Sequence, residues 1–190
     1  MRNMYKTRFL YLSGVILLSG LYIFPVWKIG IEVPQYPKEI FIRIWISKLE
    51  NGSKKAMEIM NVLNHNIGMK EIDPAAIREL IYFPWILGGL IMSGMIAAFM
   101  KKSVFRLIYL VLILSLFSLA IYDFYLWEYD YGHDLAPDAP IQLEEGSFQP
   151  PLIGQKSIAN FIVRSFPLIG TAFPVVSLLT MSMALIKENL

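Results

Sequence analysis

Only two histidines occur in this chain, and each sits in a short polar motif between apolar stretches. In LNHNIGM, Leu63 to Met69, His65 is flanked by Asn64 and Asn66 and followed four residues on by Met69. In YDFYLWEYDYGHDL, Tyr122 to Leu135, Asp130 precedes His133 by three positions and Asp134 follows it. If a helix runs through the second motif, Asp130 and His133 share a face, and a carboxylate with a histidine at that spacing is half of a helical metal site. Histidine with methionine favours copper, Cu(I) above all, whereas histidine with several carboxylates suits zinc, iron or Cu(II). Met57, Met60 and Met69 all lie near His65 in sequence, so copper is the first choice. A plainer reading competes with it. An interfacial histidine is ordinarily an amphipathic polar group, and Met57 and Met60 fit the apolar face of a short helix.

Other chemistries are excluded or weakened by what the chain lacks. It has no cysteine, so thiol–disulfide exchange and thiolate metal sites are ruled out. It contains no Gly-rich phosphate loop, no GxSxG, no HExxH and no haem-attachment motif. The formal net charge of +2, without a basic patch interleaved with aromatics, does not suggest a nucleic-acid partner. A haem held by His65 and His133 is geometrically conceivable, but both lie in loops rather than on facing membrane helices.

The elements that must carry these motifs are membrane helices. At 56% hydrophobic, 17% charged and a mean hydropathy of +0.52, the chain is too apolar for an ordinary soluble domain. Four runs approach the length of about 20 residues that spans a bilayer, at about 9–27, 81–100, 107–127 and 162–186. The expected fold is therefore mainly α and integral to the membrane, with a small extracytoplasmic α+β region made from two loops, about 28–80 and 128–161. The first run is longer than a signal-peptide core, lacks a small-x-small cleavage site, and reads as retained. Arg2, Lys6, Arg8, Lys101, Lys102, Arg106 and Lys187 cluster at helix ends that fall on one side. The positive-inside rule makes that side cytoplasmic, which places both termini in the cytoplasm.

Within the first loop, Ile40, Ile42, Ile44 and Ile46 alternate with Phe41, Arg43, Trp45 and Ser47, a strand period ended by Asn51-Gly52. Pro140 to Leu143 is its candidate partner. Ser53 reads as the N-cap of a short helix that Gly68 stops, and Asp73-Pro74 as the start of another that runs into the second span. Gly88, Gly89, Ser93 and Gly94 offer small surfaces for helix packing, and Pro167, Gly170 and Pro174 interrupt the fourth span. Asp123 is the one charge well inside a span besides Arg164 near an end, and such a carboxylate needs a partner or water. The aromatics from Tyr122 to Tyr131 match an interfacial belt and could equally wall a small cofactor. Glu144 and Glu145 read as solvated loop charges, and FQPPLIG, Phe148 to Gly154, as a stiff segment leading back to the membrane.

Taken together, VPQYPKEI, LNHNIGM, YDFYLWEYDYGHDL and FQPPLIG resemble a family of small integral membrane proteins associated with gene clusters for nitrous-oxide reductase and its copper-handling accessory proteins. The resemblance spans both loops and the adjoining helix ends, about half of the chain. It implies a part in supplying copper to, or maturing, a periplasmic copper enzyme. The family motifs map onto Asn64, His65 and Met69 in the first loop and Asp130, His133 and Asp134 in the second. Relatives often carry a methionine just before the QPPLIG run, where this chain has Ser147-Phe148, a departure that counts against a methionine-based site there. No catalytic residue is implied. Residues and resemblance together lead to an accessory protein with an extracytoplasmic metal site of His65, His133, Asp130, Met69 and Asp134, supported by Asn64 and Asp123, and a periplasmic or membrane metalloprotein as partner. A metal-free assembly subunit and a haem- or quinone-binding redox subunit are the alternatives.

Overall fold

The computed structural model describes residues 2–141, 147–158 and 161–189. In chain order its elements are α1 (Arg2–Leu17), continued by a 3-10 turn (Leu18–Tyr22), β1 (Trp27–Glu32), β2 (Ile40–Ile44), β3 (Leu49–Asn51) and α2 (Ala56–Asn66). They are followed by α3 (Glu79–Phe99), α4 (Ser103–His133), β4 (Gly154–Ile158), β5 (Phe161–Pro167), a 3-10 turn (Ile169–Thr171) and α5 (Ala172–Asn189).

Three helices, Glu79–Phe99, Ser103–His133 and Ile169–Glu188, are long and apolar enough to cross a membrane. Their apolar side chains face outward; Trp85 is 81% and Phe99 70% exposed. That surface suits lipid, where only a helix with its backbone bonds closed internally is stable. α1 packs along α5, where Ser177 Oγ donates to the Gly14 carbonyl at 2.6 Å. At one end of the bundle Arg106 of α4 turns inward and is 1% exposed. It ion-pairs with Glu188 of α5 and donates to the Met100 carbonyl at 2.8 Å, while Tyr11 of α1 donates to the Arg106 carbonyl at 3.1 Å.

The opposite end carries a cap. Five strands pair antiparallel in the order β3-β2-β1-β5-β4. Alternation decides their faces: Ile31, Ile40, Ile42, Phe161 and Val163 point inward and pack on Ala56, Met60 and Ile67 around α2. Lys28, Glu32, Arg43 and Arg164 fall on the other face, where Lys28 pairs with Glu39, Arg43 with Glu50 and Arg164 with Glu32. The cap is bolted to the helices at Val26, whose carbonyl accepts from Leu168 N at 2.9 Å and Thr171 Oγ1 at 2.7 Å.

Several expectations are corrected by these elements. The fourth run begins as strand β5, not as membrane helix, because the alternating apolar residues of FIVRSFP fill a sheet core. Arg164 is consequently a sheet residue paired with Glu32. Trp27, expected to close the first span, opens β1. The predicted strand β2 pairs with β1 and β3 rather than with Pro140-Ile141, and Ile141 N instead donates to the Asn66 carbonyl at 2.9 Å. Gln142, Leu143, Glu144 and Glu145 lie outside the described residues. FQPPLIG leads into β4, not back to the membrane. Ser53 does not cap α2 with its side chain; Asn51 Oδ1 accepts from Met57 N at 2.8 Å. Asp73 caps only a turn, and α3 begins at Glu79. Of the small residues in α3, Gly94 meets the Tyr109 ring of α4, whereas Gly89 has open space beside it.

Candidate functional site

The two histidine motifs meet in the cap. α2 ends where Gly68 takes a positive φ of 80°, a left-handed conformation that glycine adopts without strain. The chain then reverses tightly, with Met69 N donating to the Asn64 carbonyl at 2.8 Å. This turn is clasped by the segment after α4: Ala136 N donates to the Gly68 carbonyl at 2.8 Å, and Lys70 ion-pairs with Asp134 at 2.5 Å. Asn64 is buried and donates to the Lys70 carbonyl at 3.2 Å, so its amide holds the loop. Asn61 does the same further on, bonding both Ile72 N and the Ile72 carbonyl.

The expected site residues separate into two layers. His65 and His133 are exposed, as is Asp130. α4 extends to His133, so Asp130 and His133 stand one turn apart on it. The His133 ring stacks on Tyr129 with centroids 3.8 Å apart, and its Nδ1 lies 2.9 Å from the Tyr129 carbonyl. A carbonyl only accepts, so Nδ1 carries the proton and Nε2 is left as a free donor atom for a metal. Histidines that bind metals are commonly fixed through the other nitrogen in this way. Asp134 is held by Lys70, whose pKa is raised above its usual range first by the hydrogen bond it donates to Asp134 and then by the charge of Asp134, with Asp130 adding to it. Met69, by contrast, turns inward and packs with the cap core. Among the described residues no group of three or more His, Cys, Asp or Glu is gathered as a metal site. Asp123 is exposed on α4, and its charged neighbour is Glu79, another acid, rather than a cation.

Beneath the clasp lies the residue that sequence reasoning did not single out. Glu128 of α4 is 1% exposed, and neither carboxyl oxygen has a hydrogen-bond partner. It faces a cavity of about 50 Å³ whose walls include Met60, Asn64, Met69, Trp127, Tyr131 and Phe148. The Ser165 hydroxyl, which faces Glu128, accepts from Trp27 Nε1 at 2.7 Å and donates to the Leu152 carbonyl at 3.0 Å. Burial pushes the Glu128 carboxyl up to about 8, an effect Ser165 partly offsets. A 31-residue helix is about 46 Å long at 1.5 Å per residue, well over the roughly 30 Å of bilayer hydrocarbon. The last turns of α4, Glu128 included, therefore stand in the cap.

Gly132 is the sequence signal that could have found this face. It sits four residues after Glu128 in the same helix, and a Cβ there would lie 1.5 Å from the Phe148 carbonyl oxygen. Phe148 N in turn donates to the Gly132 carbonyl at 2.8 Å. A glycine inside a helix that backbone approaches so closely marks the side turned toward protein, and Glu128 shares it. The aromatic run likewise divides. Trp127 and Tyr131 pack together with centroids 4.3 Å apart and wall the cavity, whereas Tyr122, Tyr125 and Tyr129 are exposed like a belt.

Compared with known proteins, the chain matches no family, no curated protein and no solved structure.

Proposed function

We propose that this chain is a multi-pass accessory protein of the bacterial inner membrane, crossing it four times with α1 and its 3-10 extension as the fourth span. Both termini lie in the cytoplasm, and the cap stands on the periplasmic side. Its function is to take up a metal ion at the clasped loops, copper as the resemblance of the two motifs implies, and to pass it to a periplasmic or membrane metalloprotein.

The observation that carries this reading is the clasp itself, in which Gly68 and Lys70 of one motif are bonded to Ala136 and Asp134 of the other. It supports a site at the outer edge of the cap, with His133 Nε2 as the best-oriented donor and Asp130 one turn away. His65 would complete the set from the end of α2. Ligands on exposed loop and helix ends, without thiolates, suit transfer better than permanent retention. Replacing His65 or His133 by Ala should lower the copper retained by purified protein, and unchanged copper in both variants would remove the reading.

A second reading, a metal-free assembly subunit, draws on the Lys70–Asp134 pair, since a cation already answers that carboxylate. Co-purification of the chain with a larger membrane complex that lacks bound metal would favour it.

A further inference from the structure

We propose that the cavity between the sheet and the last turns of α4 is a second, internal metal site. It would hold a soft monovalent cation, Cu(I) or Ag(I), between the thioethers of Met60 and Met69 and the carboxyl group of Glu128. The inference rests on the metal-handling reading above and shares only Met69 with the ligand set expected from the sequence.

Three observations point to it. First, Glu128 is an ionisable group at 1% exposure with both oxygens unpartnered, and it lines a small cavity. An acid at such a position costs stability unless something answers it, and apolar residues of similar size would fill the space without that cost. Second, the walls supply two thioethers. Met60 comes from α2 and is 1% exposed, while Met69 comes from the reversed loop that the clasp holds in place. Thioethers select Cu(I) and its analogues and offer little to Mg(II), Ca(II) or Zn(II). Third, the size is decisive against organic ligands. About 50 Å³ accommodates a bare ion and a water or two, whereas cofactor and drug pockets run to about 300–1,000 Å³. A +1 ion that displaces the Glu128 proton to solvent leaves no net charge among the surrounding Ile29, Ile31 and Val163.

The clasp gives this site a route of exchange. Met69 lies directly after Gly68 and before Lys70, both of which are bonded to the segment following His133. Opening that contact would release one wall of the cavity toward the histidines, so an ion taken up at the surface could pass inward by exchanging imidazole for thioether.

The test uses full-length protein purified in detergent, with Ag(I) and, anaerobically, Cu(I) as probes in competition with a chelator of known affinity. A His65→Ala/His133→Ala variant should still bind about one Ag(I) per chain. Glu128→Gln should weaken that binding at least tenfold, and Met60→Leu/Met69→Leu should do the same with Glu128 intact. Leucine nearly conserves methionine's volume, and an unchanged far-UV spectrum would show that both variants fold. X-ray absorption at the copper edge should find sulfur around Cu(I), which in a chain without cysteine can come only from methionine. Ag(I) affinity unchanged in both cavity variants, or a copper shell without sulfur, would overturn the internal site. If those variants bind normally while His65→Ala/His133→Ala does not, the internal site falls and the surface reading stands. If the wild-type chain binds neither ion, both fall.

Discussion

Glu128 shows how one side chain can set the pH response of a fold. Its carboxyl, ordinarily near 4.5, is pushed up to about 8 by burial. Between those values the folded chain keeps a proton that the unfolded chain has released, so folding stability must fall as pH rises. The stability is intact below about 4.5, declines through neutrality, and the full penalty of a few kcal/mol is reached above about 8. Thermal unfolding in detergent at about pH 5 and about pH 8 measures the slope. Glu128→Gln cannot ionise and should flatten it, leaving the variant more stable than the wild type at the higher pH. A wild-type slope that survives in the variant would mean that another group sets it. At the surface the histidines follow a different logic. The Tyr129 ring stacks on the His133 imidazole, so Tyr129→Ala, which keeps the backbone carbonyl, should lower metal retention through loss of that stacking, while a fold held by the clasp persists.

The elements of the cap depend on two close approaches of backbone. Gly132→Ala drives a Cβ into the Phe148 carbonyl, and a clash with main chain cannot be relieved by a rotamer change. The expected cost is at least about 2 kcal/mol, read as a lowered unfolding midpoint, with Phe148 and the cavity wall displaced. Gly68→Ala meets both a left-handed φ of 80° and the Ala136 backbone, so it should loosen the clasp at a cost of about 1–2 kcal/mol. These elements also mark what sequence could and could not disclose. β2 was legible because Ile40 to Ile46 alternate with polar and aromatic residues, and the helix after it because its apolar face ends at Gly68. β5 was not, since FIVRSFP feeds straight into the apolar run of α5 and hydropathy does not distinguish a sheet core from lipid. β1 was hidden for the same reason at the other border, where Trp27 reads equally well as an interfacial anchor. In the candidate site, the meeting of the two histidine motifs was legible from the charge pattern at the helix ends, which assigns both loops to one side. The inward turn of Met69 and the burial of Glu128 were not, because each depends on the clasp and on Gly132, contacts between residues distant in sequence.

For the whole molecule, the bundle and the cap are locked at opposite ends by different means. At the cap end the lock is backbone bonding around Val26 and packing of Trp27 against Phe124 at 5.3 Å. At the far end it is the Arg106–Glu188 pair, enclosed by α1, α3 and α5. Arg106→Leu strands the Glu188 carboxylate in that setting and should destabilise the bundle by about 3–5 kcal/mol. Arg106→Leu/Glu188→Leu should recover much of the loss, as measured by unfolding in detergent. A single variant as stable as the wild type would show that the pair is solvated and contributes little. The same end gathers the basic residues that orient the chain, so this lock and the proposed cytoplasmic side coincide.

The central claim, that the clasped loops exist to carry a metal, is tested most directly by the copper content of the purified full-length chain after anaerobic loading with Cu(I) and removal of excess ion. Stoichiometric copper is expected in the wild type, with a clear loss from His65→Ala/His133→Ala. Wild-type protein that emerges without copper, or a double variant that retains all of it, would contradict it.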